Sequence, residues 1–159
     1  MKLFEDFVVG ERFELGQYRF EADNIKAFAR SFDPQPFHLD EVAAARSHFG
    51  AIVASGWQTA AIWMRLLVDY ERRDDEARRA RGEPVAALGP SPGFRDLKWL
   101  KPVYPGDTVG YSTEVIERRA SNSRPGWGLI GLRNSGVNQR GEPVISFDSM
   151  VFVRRKATA

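Results

Sequence analysis

Cysteine is absent from the 159-residue chain, and histidine occurs only twice. The first absence excludes disulfides, thiolate nucleophiles and cysteine-bound zinc or iron–sulfur centres, and it suits a reducing compartment. The second leaves His38 and His48 as the sole imidazoles, with no His-x-x-x-His pair, so no metal site is expected. No run approaches the ~18 apolar residues of a membrane span. Met1 to Gly10 lacks the basic-then-apolar order of a signal peptide, and a cytoplasmic protein is expected. The glycines between Gly82 and Gly93 lead to no GKS/T ending, and no strand–GxGxxG–helix unit occurs, so a phosphate-binding loop is missing too. Nor is there a charge excess: 23 Lys and Arg stand against 21 Asp and Glu, for a net charge of +2. A nucleic-acid binder usually carries a basic face. Here the basic residues are dispersed, except in the run Arg72 to Arg81, where Asp74, Asp75 and Glu76 interleave. That run reads as a solvated helix end or loop. Neither nucleic acid nor membrane is an expected partner.

What is present is the composition of an ordinary globular domain, 43% hydrophobic and 28% charged. At this length a single domain, residues 1–159, can bury roughly two thirds of its surface without a disulfide or metal. No repeat, low-complexity tract or linker divides the chain. Helix signals fill the first half and strand signals the second. Arg12 to Phe20 reads as a strand. Asp23 is the expected N-cap of a short helix over Ile25 to Ser31, where Ile25, Phe28, Ala29 and Phe32 form one apolar stripe. Pro34 disfavours a helical residue before it, so Asp33 to Pro36 is expected as a stiff, irregular loop. Asp40 is placed to cap a helix over Glu41 to Ser47. The strongest helix signal runs from Gly56 to about Arg73, with Trp57, Ala60, Ala61, Met64, Leu67 and Val68 at helical spacing. Arg65, Asp69 and Arg73 are spaced for salt-bridged pairs. Arg81 to Gly93 reads as a loop.

Strand patterns follow at Phe94 to Lys101, Thr108 to Arg118, Trp127 to Val137 and Val144 to Val153. Val109, Tyr111, Thr113 and Val115 share one face. Turn signals stand at Pro105-Gly106-Asp107, at Asn134 to Gly136 and at Arg140-Gly141. Short turns imply antiparallel neighbours. One long helix and about five such strands make an α+β architecture, with the helix covering one sheet face.

Three places could carry chemistry. Asp33 and His38 lie five residues apart on one segment that prolines stiffen, which lowers the entropy lost in positioning them. A positioned carboxylate–imidazole pair can move a proton to or from water or carbon; the same Asp33 could also simply cap a turn. Gly56 opens the long helix, where the first N–H groups have no internal partner and face outward at the positive end of the dipole. Without a side chain there, a carbonyl could approach that N–H as an oxyanion does, or Gly56 could merely relieve crowding against the sheet. Ser55 reads as the N-cap, and His48 as an ordinary surface or core histidine.

The residues Asp33-Pro34-Gln35-Pro36-Phe37-His38-Leu39-Asp40 resemble the Asp-x-Asn-Pro-x-His motif of the MaoC-like dehydratases and (R)-specific enoyl-CoA hydratases. Ala43 to Gly56, ending Ile52-Val53-Ala54-Ser55-Gly56, is similar to that family's lead into its central helix. Leu97 to Thr108 looks like its strand-and-turn block. The resemblance spans about Asp6 to Val153. It implies a hotdog fold, an antiparallel β-sheet wrapped around a long central α-helix, and a homodimer, or a dimer of dimers or trimer of dimers.

The activity it implies is reversible hydration of a 2-enoyl-CoA to the (R)-3-hydroxyacyl-CoA. No cofactor is implied beyond the coenzyme A of the acyl-CoA thioester substrate. Asp33 and His38 would be the catalytic acid–base pair, and the Gly56 N–H would bind the thioester carbonyl. Gln35 stands where the family usually has Asn. The family's helix serine is missing from Ile62-Trp63-Met64. Gln35, Ser55, Trp57 and Trp63 are the expected substrate-binding residues, with Trp57, Trp63 and Met64 shaping the acyl pocket. A hotdog acyl-CoA thioesterase and a noncatalytic acyl-binding domain are the alternatives. Retention of both Asp33 and His38 speaks against each.

Overall fold

The structure is a computed structural model and describes residues 1–156. After a 3-10 turn at Phe4–Asp6, the chain forms β1 (Arg12–Arg19) and α1 (Ala22–Phe32). Two short helices follow, α2 (Pro36–Leu39) and α3 (Glu41–Arg46), and then the long α4 (Gly56–Ala80). The rest is sheet: β2 (Gly93–Trp99), β3 (Thr108–Ala120), β4 (Trp127–Asn138) and β5 (Pro143–Arg154). The five strands form one antiparallel sheet in the order β1-β3-β4-β5-β2. The fold is the hotdog, with α4 as its central helix.

The core lies between α4 and the sheet. Leu15, Val109, Tyr111, Ile145 and Phe147 from the strands meet Trp63, with Ala60, Ile62, Leu66 and Leu67 packed around them. Val109, Tyr111, Thr113 and Val115 are all buried, as their alternation predicts. The expected stripe of α4 is not the face that the sheet buries: Gln58, Thr59 and Trp63 are buried, whereas Trp57, Met64 and Val68 remain 52%, 49% and 51% exposed.

Five local expectations are corrected. Asn134 to Gly136 is not a turn but the middle of β4. Buried Asn134 accepts from Thr113 Oγ1 (2.7 Å) and donates to Ser149 Oγ (2.9 Å), so its amide is satisfied across the sheet. That removes the reason a buried amide would cost stability. The helix α4 runs to Ala80, beyond its apolar periodicity, because Asp74–Arg78 (2.8 Å) and Asp75–Arg79 (3.8 Å) continue the i,i+4 pairing. Arg65 pairs with Asp69 as expected, whereas Arg73 reaches the Leu15 carbonyl instead. Glu21, not Asp23, is the N-cap of α1, and Asp23 lies in the first turn, where its charge suits the helix dipole. Finally, the segment between Asp33 and Asp40 is not wholly irregular. Pro36 begins one helical turn, a position that suits a residue without an N–H. Asp40 caps α3 by accepting from the Ala43 N–H at 2.7 Å, as expected.

Gly136 has a tight setting. A Cβ there would lie 2.8 Å from Ile145 Cγ2 and 3.0 Å from Val109 Cγ1. Gly136→Ala is therefore expected to destabilise the fold by about 1–3 kcal/mol through overpacking. A lower urea midpoint at unchanged m-value would show it, and an unchanged midpoint would mean that the core yields freely.

The block Pro102 to Thr108 is held by Asp107, which is buried. Its carboxylate accepts from the Tyr104 N–H (2.9 Å), Gln139 Nε2 (2.7 Å) and Arg140 (2.9 Å). Gly106 takes the turn at φ 91°, which glycine reaches without strain. The turn so fixed presents the Val103 carbonyl to the Ala54 N–H at 2.8 Å. In this way the sheet block anchors the segment that enters α4.

Candidate active site

Asp33 follows the last residue of α1 and is its C-cap, with its N–H on the Ala29 carbonyl. The helix is tied down by Gln58, whose Nε2 donates to the Asn24 carbonyl (3.2 Å), and by Lys26, which pairs with Glu41 of α3. His38 lies on the single turn of α2 and is buried. Its neighbour Phe37 packs on Phe49, with ring centroids 5.2 Å apart. The two elements bring His38 Nε2 to 3.2 Å from Asp33 Oδ2, with side chains 6% and 16% exposed respectively.

The other ring nitrogen, Nδ1, lies 2.5 Å from the Val53 carbonyl. A carbonyl only accepts, so Nδ1 carries the proton, and in the neutral ring Nε2 is left as an acceptor. Nε2 faces the Asp33 carboxylate at hydrogen-bond distance. When it carries a proton it donates to that carboxylate, and when it does not, a water beside the pair can donate to both. The Val53 carbonyl is a functional group that sequence reasoning missed, because a backbone acceptor leaves no mark on residue type.

The Asp33 carboxyl has its pKa drawn in opposite directions. Partial burial raises it, and this is the largest single influence. Hydrogen bonding from the Ser55 hydroxyl and the Gln35 amide, with His38 beside it, outweighs that and holds it below the usual aspartate value. Gln35 Nε2 donates to Oδ1 at 2.8 Å, so an amide one methylene longer than asparagine still reaches. Gln35→Leu is expected to raise the Asp33 pKa, because it removes a donor to the charged form alone. Carbon NMR of the Asp33 carboxyl through an acid titration checks this, and a midpoint that falls or stays fixed would remove Gln35 from the account. The linkage has a definite sign: a depressed folded-state pKa stabilises the fold above the unfolded value, and that contribution is lost as pH falls through the folded one.

Ser55 is fully buried and accepts from the Trp57 N–H at 3.2 Å, as the N-cap of α4. Gly56 follows as the first helical residue. Among the described residues no acceptor takes its N–H. The cleft that joins Asp33, His38 and Gly56 has a volume of about 410 Å³, within the range of small-molecule sites, and Ser55 lies behind its lining. Asp33, Gln35, His38, Gly56, Trp57 and Trp99 all line it. Trp63 is not brought there. Its ring is buried edge-on to Phe147, with centroids 4.6 Å apart, and its Nε1 points at Thr113 Oγ1. Trp63 and Met64 line an adjoining apolar groove instead, which Trp57 shares with the cleft. His48 lies in a turn against Phe49, apart from the cleft.

A family model described as "MaoC like domain" matches residues 7–125. The chain belongs to the MaoC-like family. Its structure superposes on a MaoC-like dehydratase from Rhodospirillum rubrum with a TM-score of 0.81 and 40% identity, over 99% of this chain and 100% of that one. The (R)-hydratase from A. caviae aligns with a TM-score of 0.66 and 25% identity, over 92% of this chain and 97% of that one. A mesaconyl-CoA hydratase from Cereibacter sphaeroides is 42% identical over 67 residues, which are 42% of this chain but only 19% of that protein.

Among the described residues of this MaoC-like protein, no group of three or more potential metal ligands comes together. Among the same residues no helix is long and apolar enough to cross a membrane.

Proposed function

We propose that this MaoC-like protein catalyses the reversible addition of water to a 2-enoyl-CoA thioester, giving the (R)-3-hydroxyacyl-CoA. The observation that carries this reading is the Asp33–His38 pair, carboxylate and imidazole 3.2 Å apart in a cleft that also holds the Gly56 N–H. The pair holds the water and takes one proton from it as its oxygen bonds to C3 of the substrate. The electron pair of the double bond moves towards the thioester, and negative charge gathers on the carbonyl oxygen. The Gly56 N–H donates to that oxygen, where a preorganised donor is worth about 3 kcal/mol. A proton then passes from the pair to C2 and the carbonyl re-forms. Dehydration runs the same steps backwards. Gln35 and Ser55 keep Asp33 charged and oriented, and Trp57 contacts the acyl part. Coenzyme A enters and leaves as part of the substrate.

The names of two relatives support the chemistry: one is an (R)-hydratase, the other a hydratase of a CoA thioester. The working unit is a homodimer or an assembly of homodimers, with the whole chain as one hotdog domain. This is supported by β2, which lies at an edge of the sheet, and by the exposed apolar residues Val68 and Leu88.

Crotonyl-CoA tests the activity. Its enoyl-thioester ultraviolet absorbance should fall on incubation, with no release of free thiol. Thiol release in step with that fall would make the protein a thioesterase. No change with straight, branched or dicarboxylic enoyl-CoAs would make it a binding domain.

A further inference from the structure

Trp99 has no role in the steps above, yet it occupies the space in front of Gly56. An added Cβ on Gly56 would lie 2.4 Å from both Cε2 and Nε1 of the indole, so the ring rests directly on the glycine. The backbone beneath it is fixed. Trp99 is the last residue of β2 and pairs with Ile145, and the next N–H, from Leu100, donates to the Val144 carbonyl at 2.9 Å. The side chain is held less firmly. Trp99 is 48% exposed and touches Trp57, itself 52% exposed, edge-to-face with centroids 5.2 Å apart. A single edge-to-face contact is a weak restraint, one that a half-exposed ring gives up when a ligand enters.

The position of this pair matters because of what lies behind it. Trp57 is shared between the Asp33–His38 cleft and the apolar groove of about 150 Å³ lined by Ala60, Trp63, Met64, Phe94, Leu97 and Phe147. A thioester carbonyl on the Gly56 N–H would place its acyl chain beside the two indoles. A short chain fits on the cleft side. A longer chain has the apolar groove as its nearest dry volume, and the Trp57–Trp99 pair stands across the way.

We propose that the Trp57–Trp99 pair is a partition between the cleft and the apolar groove, and that Trp99 thereby limits the length of the acyl chain the site accepts. The inference rests on the cleft being an acyl-thioester site. It commits the protein to short-chain substrates, with longer chains excluded by a side chain rather than by lack of room.

Two readouts test it. The first is kcat/KM for 2-enoyl-CoAs of four to ten carbons. Trp99→Ala should raise the eight-carbon to four-carbon ratio by at least ~10-fold, the scale on which apolar pockets discriminate. Trp99→Phe, which keeps a wall, should move it less. Trp57→Ala removes the other half of the partition and should shift the ratio in the same direction, which keeps the test open if Trp99→Ala fails to fold. The second readout is calorimetric Kd for butyryl-CoA and octanoyl-CoA, which need no turnover. Hydration with an unchanged ratio in both alanine variants would overturn the partition. A shifted binding ratio without hydration by any form would keep the partition and sink the hydratase reading. Failure of the wild type to bind either acyl-CoA would overturn both.

Discussion

Asp33→Asn is expected to lower kcat/KM for crotonyl-CoA by ~10²–10⁴-fold, the usual contribution of a positioned acid or base. That loss is roughly 3–5 kcal/mol of transition-state stabilisation. The substitution is nearly isosteric, so the C-cap geometry of α1 and the reach of Gln35 survive, while the negative charge facing His38 Nε2 is gone. His38→Gln should cost a comparable amount, because no ring nitrogen remains to share the water. Both variants should keep the wild-type circular dichroism spectrum. The double variant should lose little more than either single one, since the two groups act on one water and their effects do not add. A folded Asp33→Asn protein with full activity would remove Asp33 from the mechanism. Equal, additive losses would mean that the two groups act in separate steps.

The parts of this site that could be read from the sequence are the local ones. Asp33 and His38 are five residues apart, and Pro34 and Pro36 mark the segment between them as stiff, so their juxtaposition is almost a property of the segment. Gly56 is legible for a similar reason: a glycine that begins an apolar, helical pattern announces a bare N-terminus. The rest is assembled over distance. Trp99 meets Gly56 across about forty residues of chain, and nothing in its own pattern says which helix end it will cover. Val53 acts through its carbonyl, which every residue type possesses. Trp63 satisfies helical spacing equally well as a wall of the cleft or as core, and it is decided by Phe147 and Thr113 of the sheet. Asn134 and Gly136 show the opposite failure, in which local propensity favours a turn and tertiary structure overrides it. Gly136 lies against Ile145, Val109 and Tyr111, and Asn134 is satisfied by Thr113 and Ser149 on the neighbouring strands. The α+β architecture was legible because it needs only the element order and the short turns, whereas the hotdog was implied by the resemblance of the Asp33–Asp40 motif. The exposed face of Met64 and Val68 was not legible, since a helical stripe shows which residues are apolar but not which face of the helix the sheet covers.

The Gly56 N–H can be removed without removing the helix, and doing so should cost ~10²–10³ in kcat, the loss seen when one oxyanion donor is deleted. Proline is the residue to use. It has no N–H, and the first helical position is where a helix tolerates it best. The residue before a proline must be extended, and Ser55 already is, at φ −57° and ψ 138°. The Ser55 cap to the Trp57 N–H does not involve the Gly56 nitrogen, so it stays. The obstacle is Trp99, whose ring occupies the place of any Cβ at this position. The comparison therefore belongs in a Trp99→Ala background, with Gly56→Pro set against Gly56→Ala. Both variants add a Cβ where the indole was, and only one loses the donor, so their ratio reads the N–H alone. A ratio near one for crotonyl-CoA hydration would mean that the thioester carbonyl takes its hydrogen bond elsewhere. A ratio of ~10²–10³ in kcat with little change in KM would place the donor's effect in the transition state, where charge on the carbonyl oxygen is greatest.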